Sequence, residues 1–565
     1  MQDSKVQESI LKRSGGSKAT KNVDEGDSKK GRTGGKQHVH VHHHVHHAPG
    51  SRRHRHRPRG RKHAAEEQLA ENLLQALVLG EEDTESQESL AFPNVVKVFV
   101  TIQCPDYEQP WQAEAVGQAT GSGVVISGQR VLTAAHVVAD ATFLQVQRTD
   151  DPEMVVATVL AVCHECDLAV LSVSKDAFFK DIQPAELAPF PHLRDKVYVA
   201  GFPVGGEELS VTEGVVSRIE GQPYSHSQRY LLAVQVDAAI NSGNSGGPVF
   251  SEDNKLAGIA FQALVEAEAT GHIIPPNVIA HFLEGYEQHS AQRDYVHKFP
   301  SLGVSVQKLL NPLLRGHLGM DEAKGHSGLR VTQVMYGNSA HGVLEVGDVI
   351  MSLDGVNIAN NGSVSLEIDG QRLRLDSQIM CSLYQIGKVL KVRILRNKEE
   401  REMEVTLKPQ VDLVPLAQYD VQPPFFIYMG VVFQPLSLNY ILKAFTSHGP
   451  PNQFLTLLED STPSETRKEV VFIAQTLSDE VNLGYDELNN TIVTHVNDHK
   501  IVDLEDLVAA IEGCKDDTLE VRTHGKDVLI FPGPSTELAK QAKDRILQRY
   551  HVTSDRTLVK KFNSN

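Results

Sequence analysis

Asn241-Ser242-Gly243-Asn244-Ser245-Gly246-Gly247-Pro248 sets one serine among three glycines. A serine that is to act as a nucleophile needs such surroundings. Its backbone must turn sharply so that Oγ projects into a cleft, and a substrate backbone must approach without meeting a Cβ. Glycine two positions ahead leaves backbone N–H groups free to converge on a developing oxyanion. The same string could also be an ordinary surface loop, since glycine, asparagine and serine are common loop residues. The flanking chain bears on the choice. Leu231–Val236 and Leu256–Phe261 read as short strands. So do Val95–Ile102, Gly123–Ile126, Val155–Val162, Leu168–Val173 and Val197–Ala200. Short β-branched runs separated by turn residues predict an antiparallel barrel or sandwich from Val95 to about residue 285, closed by a helix at Ile279–Tyr286.

Serine is a weak nucleophile until a base takes its proton. Val131-Leu132-Thr133-Ala134-Ala135-His136-Val137-Val138 places a histidine at the end of an apolar strand among small residues. Read alone, a buried histidine is more often a satisfied core residue. An acid would be needed to fix its tautomer. Cys166-Asp167-Leu168-Ala169-Val170-Leu171 supplies an aspartate ahead of an apolar strand, where an unpartnered carboxylate is costly. The order His136, Asp167, Ser245 is that of Ser-His-Asp proteases built on β-barrels.

Thr133–Val137, Asp167–Leu171 and Gly243–Pro248 closely resemble the three catalytic blocks of the HtrA/Deg serine proteases, and the resemblance spans roughly residues 95–530. It implies a mainly β chain: a trypsin-like double β-barrel over 93–290, a PDZ domain over 298–410 and a PDZ-like domain over 411–532. A disordered His/Arg-rich arm with a short helix and acidic linker (1–92) would precede these. A helix and tail (533–565) would follow. Carried over residue by residue, Ser245 is the nucleophile, His136 the general base and then acid, and Asp167 the group that orients His136. Gly243, Asn244 and Ser245 would form the oxyanion hole. Ala239, Ile240 and Ala260 would line an uncharged S1 pocket that prefers small or medium aliphatic side chains. The chain departs from the family at Ala135, where Asn is more frequent. Leu302-Gly303-Val304 resembles a PDZ carboxylate-binding loop, whose N–H groups would hold a C-terminal or internal peptide added as a strand; a plain strand start is the other reading. Gly347-Asp348-Val349-Ile350 is typical of such domains. The third unit has Leu488-Asn489-Asn490-Thr491-Ile492-Val493 instead, a departure that points to assembly rather than peptide capture. The family also implies homotrimers or multiples of trimers.

Composition sets wider bounds. The 565 residues carry a net charge of −17, with hydrophobic content of 40% and charged content of 22%, which suits several globular domains. Residues 1–63 hold 16 Lys/Arg against 5 Asp/Glu, so a basic arm precedes an acidic body. Arg52–Lys62 packs seven cations into eleven residues. That run fits a nuclear or nucleolar address with nonspecific nucleic-acid contact, or a plain solvated tail. A chloroplast or mitochondrial transit peptide is the alternative, against which the five acids count. Ten histidines between His38 and His63 could take up metal adventitiously. Leu69, Leu73, Leu74 and Leu77 predict a short amphipathic helix. No secretory leader and no membrane span are expected. Five scattered cysteines make no disulfide framework, and Cys163/Cys166 read as buried thiols rather than a metal site. No phosphate-binding loop occurs, so hydrolysis should need no ATP, and neither cofactor nor metal is expected. The rival reading is a PDZ scaffold or holdase whose protease fold serves assembly and whose catalysis is dispensable.

Overall fold

Six strands close the first barrel: β1 (Val95–Ile102), β2 (Gly117–Ile126), β3 (Arg130–Thr133), β4 (Ala141–Arg148), β5 (Met154–Cys163) and β6 (Leu168–Val173), paired in the order 5-4-1-2-3-6 with β6 returning to β5. Six more close the second: β7 (Lys196–Gly201), β8 (Ser210–Pro223), β9 (Tyr230–Val236), β10 (Pro248–Ser251), β11 (Leu256–Ala263) and β12 (Gly271–Ile274). The structure is a computed structural model that describes residues 92–263, 270–289, 295–447 and 449–558; the arm, the helix near Leu69 and the acidic linker lie outside them. From Phe92 onward the chain forms one unit.

Period-2 alternation divides the side chains between two cores. On β6, Leu168 and Val170 join the cluster shared with the second barrel, while Ala169, Leu171 and Val173 fill the first barrel. Strand β6 therefore faces both barrels, and the turn before it, carrying Asp167, lies at their junction. The expected closing helix runs over Pro276–His289, with Ile279 and Phe282 fully buried.

The second unit is a sheet in the order Val304–Lys308, Leu329–Val334, Val349–Leu353, Val389–Arg396, Glu399–Thr406, with a separate hairpin (Ser363–Ile368 and Gln371–Asp376). Asp348 of the Gly-Asp block is buried and takes both Nε and Nη2 of Arg396 at 2.7 Å, so it ties two strands together. Strand Val304–Lys308 stands at the sheet edge with one side unpaired among the described strands.

The third unit differs there. The sequence predicts one strand over Tyr428–Phe433; the structure has a hairpin, Phe425–Tyr428 and Val431–Pro435, turned at Met429 (φ 49°) and Gly430 (φ 82°). Strand Val431–Pro435 is thereby flanked on both sides, by Phe425–Tyr428 and by Val471–Thr476. This unit also runs on past residue 532. Helix Glu537–Arg549 buries Ala539, Ala542 and Ile546 in its core, and Arg556–Thr557 pairs with Phe425–Tyr428.

Candidate active site

His136 sits in the single helical turn Ala135–Val138 that follows β3, and Asp167 in the turn between β5 and β6. Asp167 is fully buried and adopts φ 56°, a conformation that aspartate tolerates better than most residues. Its two oxygens hold His136 twice: the backbone N–H donates to Oδ1 at 2.8 Å and the ring Nδ1–H donates to Oδ2 at 2.7 Å. A carboxylate only accepts, so Nδ1 carries the proton and Nε2 keeps its lone pair, the form a general base requires. Burial opposes the charge on His136, but the Asp167 carboxylate and its hydrogen bond outweigh burial and hold the imidazole above its ordinary value. Burial likewise opposes the charge on Asp167; His136 and His226 outweigh it, and the carboxyl is held below the usual range. The His136 side chain remains 30% exposed, open to a reacting partner.

Ser245 comes from the other barrel, in the loop between β9 and β10. Gly246 places that loop against the histidine segment: a Cβ there would come within 2.3 Å of Thr133 Oγ1 and 2.8 Å of Ala134 N. Gly243 and Gly246 have φ of 99° and 79°, so both the approach and the backbone demand glycine. Among the described residues no hydrogen bond joins Ser245 Oγ to His136 Nε2, a link that in unliganded enzymes often tightens only with substrate. The N–H groups of Gly243 and Ser245 have no backbone partner among the described residues, whereas that of Asn244 donates to Asn241 O at 3.0 Å. The backbone N–H of Asn244 is thus committed within the loop; its side chain is buried, with Oδ1 unpaired. Ala260 is joined to the serine loop, accepting from Gly246 N at 2.8 Å and donating to Gly247 O at 2.9 Å. Ile240 is buried against Gly271, and Ala239 is half-buried.

Ser122, on β2, escaped the sequence reading. It is fully buried; its Oγ donates to Gly243 O at 2.7 Å and accepts from Phe202 N at 2.8 Å, while its N–H donates to Ser245 O at 2.9 Å. Thr133 Oγ1 donates to Ser122 O at 2.7 Å. One serine of the first barrel therefore fixes the serine loop of the second. Its signal was a polar residue between two glycines, just ahead of the apolar run Val124–Ile126. Cys163 and Cys166, beside Asp167, are buried free thiols.

The predicted carboxylate loop of the second unit borders a cavity of about 440 Å³, with Leu302, Gly303 (φ 71°) and Val304 on its wall beside Ile350 and Leu353. Gly303 N donates to Ser301 Oγ at 3.3 Å. No helix among the described residues is long and apolar enough to cross a membrane.

Residues 121–259 match the trypsin-like peptidase domain family and residues 414–558 match a PDZ domain family. Protease Do-like 2, chloroplastic, of Arabidopsis thaliana is 36% identical over 465 residues, covering 82% of this chain and 74% of the relative. Protease Do-like 4, mitochondrial, of the same plant is 34% identical over 471 residues, covering 83% and 86%. Among solved structures, the HtrA-type protease AlgW with decapeptide aligns with a TM-score of 0.44 at 24% identity, over 57% of this chain and 98% of that one. Two domain matches and relatives of this length and identity lead to one conclusion: the chain belongs to the HtrA/Deg family of Do-like proteases, serine endopeptidases that join a trypsin-like domain to PDZ domains.

Proposed function

We propose that Ser245 is the nucleophile, His136 the general base and Asp167 its orienting acid, in an ATP-independent endopeptidase acting on unfolded or damaged proteins. The observation that carries this is the two-point grip of Asp167 on His136, which fixes the tautomer a base needs. His136 would take the Ser245 proton as Oγ attacks the scissile carbonyl, then return it to the leaving amine. The N–H groups of Gly243 and Ser245 would receive the oxyanion, each such donor lowering the barrier by about 3–4 kcal/mol. The apolar surroundings of Ala239, Ile240 and Ala260 support a small or medium aliphatic residue on the amino side of the cut.

The free edge of Val304–Lys308 beside the Leu302–Val304 loop supports peptide capture by the first PDZ domain. In the second, the corresponding edge is filled by the chain itself, which supports a role in assembly, as trimers or their multiples. For the compartment, relatives named chloroplastic and mitochondrial support an organelle. Only the basic run Arg52–Lys62 speaks for the nucleus and for nucleic-acid contact. Casein incubated without nucleotide should be cleaved by the native chain and left intact by Ser245→Ala. Equal cleavage by both would refute the assignment. A full-length fluorescent fusion compared with one lacking 1–63 tests the address.

A further inference from the structure

The stretch that opens the second PDZ domain passes beside the His136–Asp167 pair. Tyr419 stacks on His226, which stands in the turn between β8 and β9, with ring centroids 3.9 Å apart, and its hydroxyl donates to His226 O at 2.8 Å. The His226 ring lies 6.1 Å from that of His136. The next residue, Asp420, accepts from His164 Nε2 at 2.9 Å. With that nitrogen protonated, His164 Nδ1 accepts from His226 Nε2–H at 3.0 Å. Asp420 and Asp140 clasp each other, the backbone N–H of each donating to the other's carboxylate at 2.6 and 2.8 Å. On its far side the segment is pinned to the rest of that domain, where Gln418 and Asn439 exchange two hydrogen bonds of 2.8 Å.

Four separate parts of the chain thus meet at one rim: Asp140, just after the helical turn of His136; His164, three residues before Asp167; His226 from the second barrel; and Tyr419–Asp420 from beyond the first PDZ domain. They flank the imidazole without sealing it, since His136 is 30% and Asp420 43% exposed. A wall fits these exposures and a plug does not. Its chemistry is specific. It presents aromatic faces and two carboxylates, neither of which pairs with a lysine or arginine among the described residues. One imidazole cannot neutralise two carboxylates, so the rim is anionic, and stacked aromatic faces also attract cations.

We propose that Tyr419 and Asp420 are specificity-determining residues, forming the wall of the substrate cleft beside His136 and favouring a cationic over an acidic substrate side chain next to the one held in the S1 pocket. This rests on the reading of Ser245 and His136 as the reacting pair. It also makes the placement of the second PDZ domain part of substrate choice, because that domain holds the segment at Gln418.

The test uses the full chain and paired peptides that differ only in Lys or Glu at the position preceding the aliphatic P1 residue. The ratio of kcat/KM for Lys over Glu should fall about two- to five-fold in Asp420→Asn. Tyr419→Ala should lower it by a similar factor, and Tyr419→Phe, which keeps the stack, should retain most of it. Cleavage sites mapped by mass spectrometry on casein should shift in the same sense, with the P1 profile unchanged. A Lys/Glu ratio equal to the native one in both Asp420→Asn and Tyr419→Ala, whatever the overall rate, would overturn the proposal. Asp420→Asn keeps the shape and removes the charge with one of the two accepted hydrogen bonds, so a folding defect in Tyr419→Ala does not spare the proposal. Cleavage persisting in Ser245→Ala would overturn the peptidase assignment itself, and the wall with it.

Discussion

Asp167 does two jobs with one carboxylate: it fastens the start of the helical turn at the His136 N–H and orients the ring through Nδ1. Replacing it with asparagine preserves shape but removes the charge and lets the wrong tautomer form. Asp167→Asn should lower kcat by about 10⁴-fold with little change in KM, measured on a peptide substrate. The pH profile has a definite sign. His136 must be neutral to act as base, and Asp167 holds its pKa above the ordinary 6.5, so the acid limb of kcat/KM should have its midpoint above 6.5. In Asp167→Asn, burial remains without its counterweight and that midpoint should move down. The pairing of Asp167 with His136 was legible, because each combines a reactive side chain with small or apolar neighbours. That the Asn244 N–H is committed to Asn241 O was not legible, since which N–H groups a turn leaves free depends on its dihedral angles rather than on its composition.

At the scale of the element, the strands announced themselves by β-branched runs, and Val95–Ile102 and Leu168–Val173 stand as read. Tyr428–Phe433 did not, because Met429-Gly430 looks like strand interior until Met429 is found at positive φ. Ser122 belongs to this scale as well, as a strand residue whose hydroxyl and amide fasten the loop of the opposite barrel. Ser122→Ala strands a buried carbonyl at Gly243 and an N–H at Phe202, at a cost of about 1–3 kcal/mol. A urea melt should show that loss. Because the displaced carbonyl belongs to Gly243, kcat should fall more than KM rises; unchanged kcat would mean that the serine only supports the fold.

Across the whole molecule, the loop between β1 and β2 reaches into the second PDZ domain. Tyr107 is 8% exposed within that domain's core, Trp111 meets Phe425 edge-on at 5.9 Å, and Gln434 Nε2 donates to Tyr107 O at 3.2 Å. No sequence pattern could have revealed a contact between positions more than three hundred residues apart, and an exposed-looking loop rich in Asp, Glu and Gln gave no cue. Tyr107→Ala should cost about 3 kcal/mol, read as a lower urea midpoint for the transition of the second PDZ domain. Chymotrypsin should then cut more readily between 412 and 424, where Leu416 and Tyr419 stand. A variant with native midpoint and native protease resistance would show that this contact does not anchor the domain.

The central claim is the role of Ser245, and a fluorophosphonate probe tests it most directly, since such probes form a stable bond only with a serine activated by its neighbours. Peptide mapping of the labelled full chain should place one adduct on Ser245, strongly reduced in His136→Ala and Asp167→Asn and absent in Ser245→Ala. An adduct on another serine, or casein cleavage that continues in Ser245→Ala, would contradict the account.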